Sequence, residues 1–549
     1  VDGPVAAAAE ILANDRLSDL SATVVDPNTS KGTFNANISL AMPVKGELTK
    51  ADTVYAVTAD LSGFSADKLV MNQKLEANTL KIVANNQGYQ VKGDVKINGQ
   101  AASLDYRKPA EGEADVKLQT TLDDASRARL GFDLSPAVVG NLPVKISGKI
   151  GSSADQTTRL GVEADLTSVR LDNILPGWVK LPGKSGKASF KVVPTAQSTR
   201  LEDIVVDGAG VSIRGSLEVD QNGDLMNANF PVYSPSDGDK ASLRVERGAD
   251  GVVKGTMRGE VFDGRGFLKS AISGTTKDDN KSKLKNVDFD IDVKLGTVAG
   301  SNGETMRSVD AKMSRRSGAI KAFTLSGKVG SNTPVTAELR GCRAQNRREV
   351  IYLQTDDAGA LLRFTDTYTK AYGGQMEVAM EPPTAEPTTR EGLINVRNFT
   401  VRGESALERA AAGGPAGTQG GVSFSALRAE FTRQSGVLTI RDGVVKGPII
   451  GATIEGSIDY PGNQVRMSGT FVPMYGLNNI FGQLPVIGLF LGGGSNEGLI
   501  GVTYEVVGTP AAPVMRVNPI SAMTPGVLRK IFEFNTGKQN NSIELPAQQ

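Results

Sequence analysis

From residue 33 to about residue 508 the chain alternates apolar and polar positions with period two, the pattern of strands that bury one face and hydrate the other. The clearest stretch sets Val287, Phe289, Ile291, Val293 and Leu295 between Asp288, Asp290, Asp292 and Lys294. The pattern recurs over residues 91–97, 211–219 and 453–460, with Gly93, Gly215 and Gly456 inside them. Asn222-Gly223, Asp250-Gly251, Asp263-Gly264, Asp442-Gly443 and Pro461-Gly462-Asn463 read as hairpins or tight turns between alternating runs. Ala59-Asp60-Leu61 and Ala164-Asp165-Leu166 open comparable blocks, a loose repeat without a fixed period.

Helical signals are few. Residues 5–12 are Ala-rich, 360–372 end in Gly373-Gly374, 405–412 begin with a Ser cap, and 525–534 follow Thr524-Pro525. Residues 381–391 and 410–421 read as loops. The expected fold is therefore mainly β: a long antiparallel meander curled into an extended hydrophobic groove, with a few short capping helices. A closed barrel or a two-sheet sandwich would also hide an apolar face. Aromatic residues make up only 5% of the chain and Gly accounts for 63 of 549 residues, which favours a bent sheet over a sandwich core needing large side chains. Some thirty strands at about 4.8 Å each would extend roughly 140 Å.

Composition then removes whole classes of chemistry. There is no histidine, so Ser/His/Asp and Cys/His nucleophilic sites and His-bearing zinc sites are excluded. A single cysteine, Cys342, permits no internal disulfide, Cys₄ zinc site or iron–sulfur cluster. The 61 basic and 60 acidic residues leave a net charge of +1 with both signs interspersed, which argues against a nucleic-acid partner.

Individual motifs are weak. Leu181-Pro182-Gly183-Lys184-Ser185 resembles the end of a phosphate loop, but Trp178 stands where the leading glycine is needed. Asp288, Asp290 and Asp292 have calcium-loop spacing without the following Gly and Glu, and fit the wet face of a strand. Arg340, Arg343, Arg347 and Arg348 around Cys342, with Arg315-Arg316, read as a solvated edge or as an anion contact. Nothing selects a catalytic carboxylate pair, so no enzyme and no cofactor are expected. An apolar trough would hold acyl chains, and Ile213, Leu217, Phe289, Ile291, Val293, Ile454 and Ile458 are the expected lining. Residues 467–496 form thirty consecutive uncharged positions. Phe471, Tyr475, Leu477, Ile480, Phe481, Leu484, Val486, Ile487, Leu489 and Phe490 within them are the expected end-cap or membrane contact.

The C-terminal region resembles the AsmA-like superfamily of bacterial envelope proteins, most closely the C-terminal half of a YhdP-type member. The resemblance is carried by Gly447-Pro448, Gly456-x-Ile458-Asp459, Val472-Pro473-x-Tyr475-x-Leu477-Asn478 and Leu484-Pro485-x-Ile487-Gly488. It continues in Glu497-Gly498-Leu499-x-Gly501-x-x-Tyr504, Val517-Asn518-Pro519-x-Ser521 and Pro525-Gly526-x-x-Arg529-x-x-Phe532. It covers roughly the last 150 residues. It implies a repeating β-groove in the periplasm of a Gram-negative bacterium, held to the inner membrane by an N-terminal anchor and carrying phospholipids toward the outer membrane, whose inner leaflet the C-terminal end would meet. The chain begins Val1-Asp2-Gly3 rather than with Met and lacks such an anchor, so it is read as the distal part of a larger protein. The expected organisation is groove over 1–275, continuing groove over 276–400 with a short helix near 360–372, a family-like region with an apolar cap over 401–534, and a disordered tail over 535–549. A periplasmic scaffold or assembly factor that moves no lipid is the alternative function.

Overall fold

Alternating segments rich in β-branched residues cannot satisfy their backbone groups alone, so each pairs with the next in sequence. The structure, a computed structural model, describes residues 1–12, 25–44, 53–70, 73–130, 134–150, 158–172, 174, 178–195, 197–273, 287–341, 348–384, 388–405, 407–408, 420–473, 502–510 and 512–518. The fold is mainly β, a mostly antiparallel meander with a few short helices, and among the described residues no barrel closes. The chain divides by its contacts into Val1–Asp237 and Gly238–Gln549. No helix is long and apolar enough to cross a membrane among the described residues.

In the first unit the register carries one apolar row through twelve successive strands. It runs from Ala36 and Ala59 through Ile82, Val91, Tyr106, Val116, Gly148, Leu160, Val192 and Leu201 to Leu217 and Ala228, each residue the direct partner of the next. Val5 of helix α1 (Val5–Leu12) joins Ala36, Leu61, Phe64, Leu80 and Leu104 in the core on this face. A small second sheet pairs Arg170–Asp172 with Val138–Val139 and Val179–Lys180. Beside it lies α2 (Asp124–Arg129), which the sequence reading missed; Asp123 caps it by accepting from the Ser126 amide at 2.7 Å.

The second unit repeats the arrangement. Leu243, Met257, Val293, Ala311, Leu325, Ala337, Leu353, Val378, Ile394, Ala429, Gly443 and Ile454 form another unbroken row across twelve strands. One residue further along, Arg258, Lys294, Asp310, Ser326, Thr336, Gln354, Glu377, Asn395 and Arg428 pair in the same way, so the opposite face is polar along this row, although Val350, Tyr352, Ala379 and Leu393 on that face are buried.

Four expected features differ. Asp263-Gly264 is no hairpin: Val253–Asp263 and Phe289–Ala299 are parallel, which requires a crossover, and α3 (Arg265–Ser273) begins it. Asp442-Gly443 lies inside the strand Val437–Lys446 at a register shift, where a side chain on Gly443 would meet Ile454 at 2.2 Å. The helix expected over 360–372 is α4 (Ala358–Phe364), and Gly373-Gly374 sit within the strand Ala371–Met380 with positive φ instead of ending a helix. Ala59-Asp60-Leu61 lies mid-strand whereas Ala164-Asp165 ends one, so the two are not equivalent positions of a repeat. The helix expected at 525–534 and most of that at 405–412 lie outside the described residues, as does the tail over 535–549.

The second unit's sheet is curled. The α3 helix starts at the end of Val253–Asp263, yet Arg433, eight strand steps along the meander, donates from Nη2 to the carbonyls of Ala271, at 2.7 Å, and Ile272. Eight steps of a flat sheet span roughly 38 Å. A nine-residue helix covers only about 13 Å. The sheet must therefore bend to bring those strands to one helix.

Glycine permits close strand approach at Gly215, where a Cβ would lie 2.2 Å from the Asn229 carbonyl oxygen and 2.7 Å from the Phe230 ring. Gly215→Ala should destabilise the protein by about 1–3 kcal/mol. Urea unfolding followed by circular dichroism checks this; an unchanged midpoint means that the two strands do not approach so closely.

Candidate functional site

Because strand side chains alternate, the parity of a residue decides which face it joins. All seven expected lining residues fall on the apolar faces. Ile213 pairs with Val206 and Tyr233, and Leu217 with Leu201 and Ala228. Phe289, Ile291 and Val293 pair with Val253, Gly255 and Met257. Ile454 pairs with Gly443, and Ile458 with Leu438 and Val465. Their exposure differs. Ile213 is fully buried beside Tyr233, which packs on Phe230, so it belongs to the sealed core and presents no lining surface. The other six are half-buried.

One end of the second unit's apolar face is plugged by α4. Asp357 caps the helix by accepting from the Ala360 amide at 3.0 Å. Gly359 lets it lie directly on the strand Ala371–Met380, since a Cβ there would be 2.5 Å from the Ala371 carbonyl oxygen. The Phe364 ring fills the space left at Gly300, where a Cβ would come within 2.2 Å of it. The Ser301 amide donates to the Phe364 carbonyl at 3.0 Å, Asn302 Nδ2 to the Arg363 carbonyl at 3.0 Å, and Arg363 pairs with Glu304 at 2.7 Å. Around this plug Val329, Val335, Val422 and Ile450 are completely buried.

Toward the middle of the strands the same face changes character. Ile291, Val293, Leu325, Leu353, Val378 and Ile394 are only half-buried. In the first unit the apolar face surfaces at Ile38 and Leu40, which are 50% and 62% exposed. Contiguous apolar surface left in contact with water costs about 25 cal/mol per Å², and such patches mark contact sites.

The concavities belong to the other face. One of about 1230 Å³ in the first unit is walled in part by exposed Asp94, Lys96, Ser103, Gln119, Lys145, Glu163, Asp165 and Lys187. Smaller ones of 280 and 430 Å³ in the second unit lie along Asp310, Ser326, Thr336, Gln354 and Glu377. The hollow in the first unit also touches Phe64, Ala77, Val95, Ala102, Val144 and Ala164, whereas those in the second unit are lined mostly by polar residues. The apolar surface is an open face, not a pocket.

The remaining candidates are structural. Gly183 sits in a turn with φ of 85°, its amide donating to the Thr167 carbonyl at 2.8 Å, so no phosphate cradle forms there. Asp290 holds Arg316 at 2.8 Å and accepts from Ser314 at 2.6 Å, while Asp292 pairs with Arg258 at 3.0 Å. These cations hold both carboxyls below their ordinary range. Arg340 is bonded to Glu338 and stacked over Tyr352 at 4.4 Å, and Arg348 bridges Glu381 at 3.1 Å and Glu391 at 3.0 Å. Cys342, Arg343 and Arg347 lie outside the described residues. Among the described residues no three His, Cys, Asp or Glu side chains gather where a metal could sit.

Of the expected end-cap, Phe471 is buried and stacked on Tyr504 at 4.2 Å. Tyr475, Leu477, Ile480, Phe481, Leu484, Val486, Ile487, Leu489 and Phe490 lie outside the described residues. The short capping helix expected near 360–372 is present as α4, but the fit of Phe364 against Gly300 and the Arg433 clasp on α3 escaped the sequence reading.

No protein-family model, curated protein or solved structure matches the chain. The likeness to the AsmA-like superfamily therefore rests on the residues quoted above.

Phe364→Ala should cost about 3–5 kcal/mol, since it empties a sealed site that bordering backbone cannot fill. Denaturant titration checks this, and a loss below 1 kcal/mol would show that α4 is not the plug.

Proposed function

We propose that this chain is a non-enzymatic lipid conduit. Acyl chains lie along the apolar rows while polar headgroups stay in water at the open side of the sheet. The observation that carries this reading is the unbroken row from Leu243 to Ile454, twelve strands wide and half-buried at most of its middle positions, with α4 plugging one end of its strands. A sheet that needed only stability would cover such a face with a second layer. The resemblance to AsmA-like envelope proteins supports a periplasmic setting, phospholipid cargo, an inner-membrane anchor outside this chain and a C-terminal end near the outer membrane.

Lipidomic mass spectrometry of the purified protein tests the cargo. Co-purifying phospholipid is expected, and a chain that stays empty after exposure to liposomes points to a scaffold. Ile291→Glu and Ile454→Glu place a charge in the path, where its desolvation cost falls on every passing acyl chain. Each variant should express and fold but lower lipid transfer between vesicles at least about tenfold, a barrier of only about 1.4 kcal/mol. Wild-type transfer in both variants refutes the lining.

A further inference from the structure

Near one end of its strands the apolar face of the second unit carries charged residues: Arg247 and Arg315 lie in the row of Val253 and Phe289, and on other strands two more cations face each other. Arg390 and Arg433 are direct cross-strand partners. They stand two and four residues from the pairs Gly392 with Phe431 and Ile394 with Ala429, and so share the apolar face with them. Their row continues into Leu438, Ile458 and Val465. Two cations therefore head an apolar row.

Like charges directly opposite each other on a sheet repel, and a carboxylate is the usual remedy. Among the described residues no carboxylate is bonded to either: Arg390 has no hydrogen-bond or ion-pair partner there, and Arg433 is held there only through Nη2 by the Ala271 and Ile272 carbonyls. The acid that influences Arg390, Glu381, is already engaged by Arg348 at 3.1 Å and by the Glu391 amide at 2.9 Å. Burial lowers the proton affinity of both guanidiniums, and the charge of Arg433 lowers that of Arg390 further. The fold holds two half-buried, adjacent guanidiniums with, among the described residues, no carboxylate bonded to either.

We infer that Arg390 and Arg433 form a phosphate-binding pair at the end of the apolar row. A guanidinium is a planar fork that binds oxyanions through two parallel N–H groups, and phosphate has enough oxygens to engage two forks at once. Leu438 and Ile458 beside the pair suit a phosphate carried by an acyl-bearing molecule. Naming a phospholipid headgroup as the source rests on the conduit reading; the phosphate chemistry does not.

The test compares binding of dihexanoyl phosphatidic acid, dihexanoylglycerol and inorganic phosphate to the full chain, by native mass spectrometry for the lipids and ³¹P line broadening for phosphate. The wild type should favour phosphatidic acid over the uncharged analogue by about tenfold or more, the scale of one charge-assisted contact. Arg390→Gln removes a side chain that holds nothing in the fold, and should erase most of that preference while leaving dihexanoylglycerol binding unchanged. Arg433→Lys keeps the charge but loses the fork, and should erase part of it. Arg390-dependent binding of inorganic phosphate with an unaltered lipid preference supports the pair as a site for free phosphate. Arg390-dependent phosphate binding by a chain that takes up neither lipid supports the pair and sinks the conduit. Equal binding of phosphatidic acid and of phosphate by wild type and Arg390→Gln overturns the inference.

Discussion

Everything in this molecule depends on strand register. Side chains on a strand alternate between faces, so a slip of one residue at any junction would exchange the apolar and polar sides of every strand beyond it. In the second unit the apolar row survives eleven junctions, one of them the parallel junction served by the α3 crossover. It also survives a bulge: between the pairs Phe431 with Ile440 and Ala429 with Gly443 the strand Val437–Lys446 gains a residue, yet Gly443 returns to the row. Gly443 is tolerated there because its missing side chain makes room for Ile454.

Register on this scale produces an apolar face wider than any helix here can cover. The helix α4 seals one end through Phe364, and its ion pair and caps serve that seal. The α3 helix ties the first strands of the unit to the strand Val422–Gln434 through Arg433 and so fixes the bend of the sheet. Neither covers the middle, where Val293, Leu353 and Ile394 keep part of their surface in water. The polar face shows the opposite economy: its charges are largely spent on one another, as in Asp290 with Arg316 and Asp292 with Arg258, which leaves them unsuited to chemistry.

The alternation made the face of a residue legible wherever it was strict. Parity alone put Ile291, Ile454 and the other expected lining residues on the apolar side. Their exposure was not legible, because the sealing of Ile213 depends on Tyr233 and Phe230 from a neighbouring strand. Asp-Gly signals were ambiguous for a physical reason: the small size that suits a hairpin also suits a bulge, as at Gly443, or the close approach that starts a crossover, as at Gly264. Gly373-Gly374 was misread in the same way. The cation pair at Arg390 and Arg433 could not be seen at all, since the two residues lie on separate strands and only pairing brings them together. The motifs that carry the family resemblance fall partly on described strands, such as Gly456 to Asp459, and partly outside the described residues.

The composition of the row bears on what a conduit needs. Valine, alanine, leucine, isoleucine and one methionine succeed one another from Leu243 to Ile454 with no aromatic ring and one glycine. An acyl chain moving from strand to strand thus exchanges one set of methyl contacts for a similar set, each worth about 0.1–0.2 kcal/mol per atom pair. No position holds it much more tightly than the next. A shallow energy profile of this kind permits sliding but gives no direction, and no nucleotide site supplies one among the described residues. On the proposed reading, direction must come from a difference in lipid chemical potential between the two ends, and a cation pair that engages headgroups at one place along the face would set which lipids feel that difference.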